Sequence, residues 1–348
     1  MDVMKLLNRI LLFTAALCSG SLLAKMHIPI PFLLGGVLSA IAVKTFIPRS
    51  NLNWPKLWRD CGLTAAGYGI GANFSTTAWD NMLHQLLGVA EATGSILLAS
   101  ILLAFVSAKL AGEDLKSCII GMLPGGMTMS MLLAEEDKNI NPNVVIVMQV
   151  LRLFGVVVSV PFLVIYLLDA RIIGSSIAMP NHGGYHWLIF IPLAICGGFI
   201  AKKVHMPTPI LLGAILATAV FTLADGRVQP VPGWLMAPAQ ASIGIFMGMQ
   251  LDAGRVAKAK NVIPCVVAGT IVLIGISIAM ANVLSARYGF SLVTAFLAMA
   301  PGGIAEMSLA GMSMGEDVSI ILTYQLVRVF AINLLIPPLL TWWFEKKA

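Results

Sequence analysis

Two arginines stand inside long apolar runs, each three residues after a glutamine: Gln149-x-x-Arg152 and Gln325-x-x-Arg328. A guanidinium has five N–H donors and a permanent charge, so its chemistry in such surroundings is to hold an anion or a set of carbonyl oxygens. Residues three apart share a helix face, which puts each glutamine beside its arginine. Upstream of each pair an apolar segment is interrupted, at Leu123-Pro124-Gly125-Gly126-Met127 and at Ala300-Pro301-Gly302-Gly303-Ile304. Proline removes an amide donor and breaks helix propagation, which hydrocarbon tolerates only where the freed backbone faces protein or a water-filled cavity. Two roles are open for Arg152 and Arg328: capping the carbonyls of the broken segment, and contacting an anionic substrate. One arginine can do both.

Carboxylates add a second kind of chemistry. Glu306 follows the second Pro-Gly-Gly where Met129 stands after the first, and Glu91 matches Ala268 in an equivalent apolar run. A carboxylate at membrane depth is costly unless it is protonated or paired. Glu91 and Glu306 are therefore candidates to carry a coupling H+ or Na+, or to pair with Arg152 or Arg328. Asn73 and Gln250, placed alike after glycine-rich runs, are weaker candidates for the same cavity, to which Gly125, Gly126, Gly302 and Gly303 offer backbone groups. Gly67, Gly69, Gly71, Gly244 and Gly248 read first as close helix packing. Glu135, Glu136, Asp137, Glu316 and Asp317 read as solvated loop charges. His182 and His186 flank Gly183-Gly184 in a loop, without a carboxylate placed to complete a metal set. There is no Walker loop, dinucleotide fingerprint or nucleophile triad, so neither an enzyme nor a cofactor is expected.

The elements that must position these residues follow from composition. The 348-residue chain is 58% hydrophobic and 11% charged, with mean hydropathy +0.90. That is more apolar surface than a water-soluble domain can bury, so the expected class is an all-α integral membrane protein. About ten runs of roughly 20 apolar residues can cross the hydrocarbon core. The net charge of +6 sits mainly in the loops between those runs, as the positive-inside bias produces, and does not point to nucleic acid. Five scattered cysteines with no CxxC give neither a disulfide framework nor a metal site.

The chain is written twice. At a shift of about 177 residues, Pro29 matches Pro207, Gly67-to-Gly71 matches Gly244-to-Gly248, Pro124 matches Pro301, Gln149 and Arg152 match Gln325 and Arg328, and Pro161 matches Pro337. The repeated Ala24-Lys25 with His27 to Pro31, matched by Ala201-Lys202 with His205 to Pro209, makes the N-terminus part of a repeat and not a signal peptide. The expected organisation is a first membrane repeat at 1–170, a connecting loop at 171–186 and a second repeat at 187–348. Expected helices lie at about 7–24, 32–47, 60–74, 83–108 and 143–168, then 187–201, 209–223, 234–251, 262–286 and 318–343, with Pro-Gly-Gly segments at about 115–137 and 291–314.

Basic residues give the orientation. Lys44, Arg49, Lys56 and Arg59 fill one loop of the first half, whereas in the second half Arg255, Lys258 and Lys260 fill the following loop. Opposite bias in matching loops means opposite orientation. With both termini cytoplasmic, the assignment closes if each Pro-Gly-Gly segment enters and leaves by one face. The result is ten spans plus two re-entrant segments in inverted-topology repeats, the architecture in which secondary transporters build midplane sites from broken helices.

On the residues Pro124-Gly125-Gly126 with Gln149-x-x-Arg152, Pro301-Gly302-Gly303 with Gln325-x-x-Arg328, and the Pro29-x-Pro31 and Pro207-x-Pro209 turns, the sequence resembles the AbrB membrane protein family. The likeness covers nearly the whole chain and implies a duplicated protein of the bacterial inner membrane. The family carries labels of ammonia monooxygenase and of regulator of gene expression, and shares its name with a soluble DNA-binding regulator that a chain of this hydropathy does not fit. It supplies no agreed site residues. A monooxygenase needs clustered His and carboxylate ligands, which the five His do not form. The functional expectation is a secondary transporter of a small solute, most readily an organic anion, working in the lipid bilayer by alternating access. The rivals are a non-enzymatic membrane regulator of gene expression acting through a partner protein and, ranked below it, a membrane monooxygenase. A homo-oligomer is compatible with the sequence.

Overall fold

A computed structural model describes residues 2–46, 53–74, 85–125, 139–168, 187–225 and 231–345. They fold as helices, with no strand among the described residues: α1 (Asp2–Lys25), α2 (Pro31–Phe46), α3 (Lys56–Ala72), α4 (Leu86–Ala111), α5 (Leu115–Met122), α6 (Pro142–Tyr166), α7 (Trp187–Lys203), α8 (Pro209–Asp225), α9 (Gly233–Gly248), α10 (Ala253–Lys258), α11 (Ile263–Tyr288), α12 (Leu292–Met299), α13 (Ile304–Met314) and α14 (Val318–Glu345). Five stretches, in α1, α4, α6, α14 and Lys260–Tyr288, are long and apolar enough to cross a membrane. Helices suit that environment because they satisfy their backbone hydrogen bonds internally. The connecting loop 171–186, with His182 and His186, lies outside the described residues, as do Gly126, Met129, Glu135, Glu136 and Asp137.

Local chemistry sets the boundaries, and it does so in matching pairs. α4 stops at Gly112 (φ 68°) and α11 at Gly289 (φ 73°), left-handed positions that glycine adopts freely. Asp114 then caps α5 by accepting from the Ser117 amide, and Ser291 caps α12 by accepting from the Thr294 amide. After α1 the chain turns through His27 (φ 54°) and Ile30 (φ 48°), and after α7 through His205 (φ 57°) and Thr208 (φ 44°). Pro31 and Pro209 follow as the first residues of α2 and α8, where the missing amide costs nothing. The short α10 is capped by Asp252 inside the basic loop and was not expected from the sequence.

The first compact unit comprises Met1–Trp79, Pro161–Leu251 and Ser308–Ser319. Here α1 packs on α2 and α7 on α8, while α2 lies against α9 and α8 against α3. Small residues permit these crossings. A Cβ on Gly36 would stand 2.5 Å from the Ala241 carbonyl oxygen, and one on Gly67 would stand 2.7 Å from the Ala214 Cβ. Gly197 and Gly213 pack backbone to backbone between α7 and α8, as Gly20 and Gly35 do between α1 and α2. Gly67, Gly71, Gly244 and Gly248 thus take the packing role expected of them. The Lys44 ammonium of α2 donates to the Met249 and Leu251 carbonyls at the end of α9, and the Thr222 hydroxyl of α8 donates to the Gly71 carbonyl near the end of α3. Trp54 stacks on Phe13, meets Trp58 edge-on and donates its indole N–H to Ser242. Aromatic rings with a satisfied polar tip are usual where a membrane meets water.

The second unit comprises Asp80–Val160, Asp252–Met307 and Ile320–Ala348. In it α5 packs on α4, α12 on α11, and α4 on α11. Its core includes Ile119, Met122, Val144, Met148, Val266 and Leu273. α6 is the most enclosed span, with 72% of its apolar window buried against 33% for α4. α4 and α11 instead turn large side chains outward, among them Leu98, Leu102, Ile271 and Val272.

Candidate functional site

Within the second unit two half-helices end where the chain meets proline. α5 stops at Met122 before Leu123-Pro124, and α12 stops at Met299 before Ala300-Pro301. The last four carbonyls of a helix have no intrahelical partner, and inside an apolar core each must be satisfied by another group. Gln149 and Arg152 of α6 do this for α5: the Gln149 amide donates to the Ile120 carbonyl at 3.0 Å and Arg152 Nη1 to the Met122 carbonyl at 2.8 Å.

The second copy makes the same arrangement, with more bonds among the described residues. The Gln325 amide donates to the Leu297 and Ala300 carbonyls at 2.9 and 3.1 Å. Arg328 Nη1 donates to the Met299 and Ala300 carbonyls, both at 3.0 Å, and Nη2 to the Gly302 carbonyl at 3.3 Å. Nη2 also donates to the Gln325 Oε1, which locks the pair together. The Ser277 hydroxyl of α11 reaches the Met299 carbonyl as well, at 3.3 Å. A cation placed at a helix C-terminus is favoured by the dipole there, so each Gln-x-x-Arg is a cap supplied from another helix.

All four side chains are buried, Arg152 to 5% exposure and Arg328 to 2%. The Nε atoms of both arginines are buried without a hydrogen-bond partner. Among the described residues no carboxylate forms an ion pair with either of them.

Glu306 occupies the first turn of α13 and is buried, at 7% exposure. Its carboxylate folds back onto the start of its own helix, accepting from its own amide and lying over Gly303, where a Cβ would collide with it. The sequence left open a pairing of Glu306 or Glu91 with Arg152 or Arg328, and the structure corrects this. Glu91 of α4 instead pairs with Arg287 at the end of α11, at 2.6 Å, with both side chains more than one-third exposed. Gly88 packs against the Tyr288 ring one turn earlier and sets that register.

The remaining expected residues fall as follows. Gly125, Gly302 and Gly303 lie at the breaks: a Cβ on Gly125 would press on Ile332, and one on Gly302 on Met307. Asn73 and Gln250 belong to the first unit. The Asn73 amide bonds the Gly69 carbonyl of its own helix, and the Gln250 Oε1 is buried without a partner. Sequence reasoning missed Arg287 and Tyr324. The Tyr324 hydroxyl, one residue before Gln325, is buried without a partner, and its ring meets Phe290 edge-on at 6.4 Å. A tyrosine adjoining the buried Gln-x-x-Arg was the available signal.

A sequence profile of the family described as "Transition state regulatory protein AbrB" matches residues 8–344. An "Uncharacterized protein YhjN" of Bacillus subtilis (strain 168) is 26% identical over 346 residues, covering 92% of this chain and 88% of the relative. A "Putative regulator AbrB" of Escherichia coli (strain K12) is 24% identical over 324 residues, covering 89% and 88% respectively.

Proposed function

The chain belongs to the AbrB family, and we propose that it is a secondary transporter of a small organic anion, working by alternating access of two inverted-topology repeats. The observation that carries this reading is the break at Pro301-Gly302-Gly303. There a helix stops inside a buried core, two residues of the following helix α14 hold its carbonyl end, and a buried carboxylate, Glu306, stands beside it without a cation partner among the described residues. Proteins that merely span a membrane gain nothing from such a break, whereas transporters use half-helix ends and unwound backbone as the polar lining of a midplane site.

The matched caps, turns and helix crossings support an internal duplication, since α1 on α2 repeats as α7 on α8 and α2 on α9 repeats as α8 on α3. The full scheme is ten spans with two re-entrant Pro-Gly-Gly segments, placed in the bacterial inner membrane with both termini cytoplasmic, and coupled to H+ or Na+ through Glu306. Purified protein in proteoliposomes, or currents on a solid-supported membrane, screened over small carboxylates and sulfonates with ammonium as the cation control, tests it. Gradient-dependent anion uptake that Arg328→Ala abolishes is the expected result, and a folded preparation silent to every solute overturns it.

A second reading, a membrane regulator acting through a partner protein, is favoured by the name of the Escherichia coli relative. Affinity purification from membranes separates the two. A regulator retains a stoichiometric protein partner and gives no solute flux.

A further inference from the structure

The start of α13 is built to hold an anion. The first bond of this helix runs from the Met307 amide to the Gly303 carbonyl, so the amides of Ile304, Ala305 and Glu306 have no carbonyl partner within the helix. All three residues are buried, and buried amides left in this way attract negative charge, as does the dipole of an 11-residue helix. Arg328, from α14, stands at the same break with Nη2 on the Gly302 carbonyl and a buried Nε that has no partner. The Glu306 carboxylate lies in this place now, over a glycine whose missing side chain makes the room.

We propose that the N-terminus of α13 is a substrate anion site whose resident occupant is the Glu306 carboxylate, and that a monovalent organic anion, a carboxylate or sulfonate, replaces it when Glu306 is protonated. This deepens the transporter reading and rests on it. Two carboxylates at one helix end cannot both stay ionised. The incoming anion therefore requires a neutral Glu306, and one proton enters with each anion. The charge of the site is then the same before and after binding, which selects a monoanion: a dianion leaves one charge uncompensated in apolar surroundings. Glu306 is the only ionisable residue of α13. The charged side chain bonded at the break is Arg328 on α14, and neither it nor Arg152 on α6 forms an ion pair with Glu306 among the described residues. The other copy has Met129 in the matching position, so the device belongs to one repeat and is not demanded by the fold.

The test is calorimetric binding to the purified full chain between pH 5 and 8, with acetate, L-lactate, benzoate and methanesulfonate as probes and succinate as the dianion control. Above the titration of Glu306 the wild-type Kd should rise about tenfold per pH unit, the slope for one linked proton. Titrations in buffers of different ionisation enthalpy should show about one proton taken up per anion bound, by the same linkage. Glu306→Gln should bind the monoanions with no pH slope, and doubly ionised succinate should bind neither protein. A flat wild-type profile without proton uptake overturns the proposal, as does a slope that persists in Glu306→Gln. The wild-type measurement decides alone if the variant does not fold. Gradient-driven uptake of some solute alongside pH-independent binding removes this mechanism and leaves transport standing, whereas absence of binding by every probe removes the anion site itself.

Discussion

Arg328 donates to the Gly302 carbonyl across a sequence separation of 26 residues, reaching past the end of α12 into the break itself. The same guanidinium also serves Met299, shared with Ser277, and Ala300, shared with Gln325, so one side chain donates to three carbonyls. Arg152 serves Met122 alone among the described residues. Each buried acceptor left without a donor costs about 1–3 kcal/mol. Arg328→Ala should therefore lower thermal stability more than Arg152→Ala, with Arg328→Lys intermediate because one ammonium cannot span the carbonyls a planar guanidinium bridges. Thermal unfolding of the three variants in one detergent checks the order, and equal losses would mean that the two caps carry equal weight.

Gly303→Ala tests the Glu306 position without touching its charge. The added Cβ collides with the carboxylate, and the glutamate is long enough to swing aside, so the helices should keep their packing. The variant should melt within a few degrees of wild type and lose the pH slope of anion binding. A variant with normal pH linkage would show that the carboxylate does not act from the place it holds here.

Much of this arrangement was legible in the residues because it depends on local chemistry. Pro-Gly-Gly in an apolar run marks a break, and an arginine buried in such a run must find acceptors, so the carbonyl-capping role of Arg152 and Arg328 followed from residue type. What stayed hidden depends on register between distant helices. Glu91 meets Arg287 across 196 residues because Gly88 admits the Tyr288 ring, a contact no spacing announces. In the same way, repetition of α2 and α3 in α8 and α9 says nothing of whether a helix packs within its own half or, as for α2 on α9, on the other.

The two carboxylates singled out at the start should behave differently. Glu91 is paired with Arg287 and more than one-third exposed, while Glu306 is buried and has no cation partner among the described residues. Glu91→Gln should leave proton-linked anion binding as in wild type, and Glu306→Gln should remove it. The same pH titration reads both, and loss of linkage in Glu91→Gln would move the coupling site to the pair on α4 and α11.

Orientation gives the last prediction. Single cysteines at Lys258 and Thr76 occupy matching loops of the two halves, the first in the basic α10 and the second in a loop outside the described residues. With the N-terminus cytoplasmic, the positive-inside bias puts Lys258→Cys in the cytoplasm and Thr76→Cys outside. The native Cys18, Cys61, Cys118, Cys196 and Cys265 carry no disulfide, so a cysteine-free background can be built without breaking a bridge. A membrane-impermeant maleimide added to intact cells should then label Thr76→Cys and spare Lys258→Cys until the membrane is opened. Both positions reacting from one side would mean parallel repeats and twelve crossings, and the Pro-Gly-Gly segments would then pass through the bilayer instead of dipping into it.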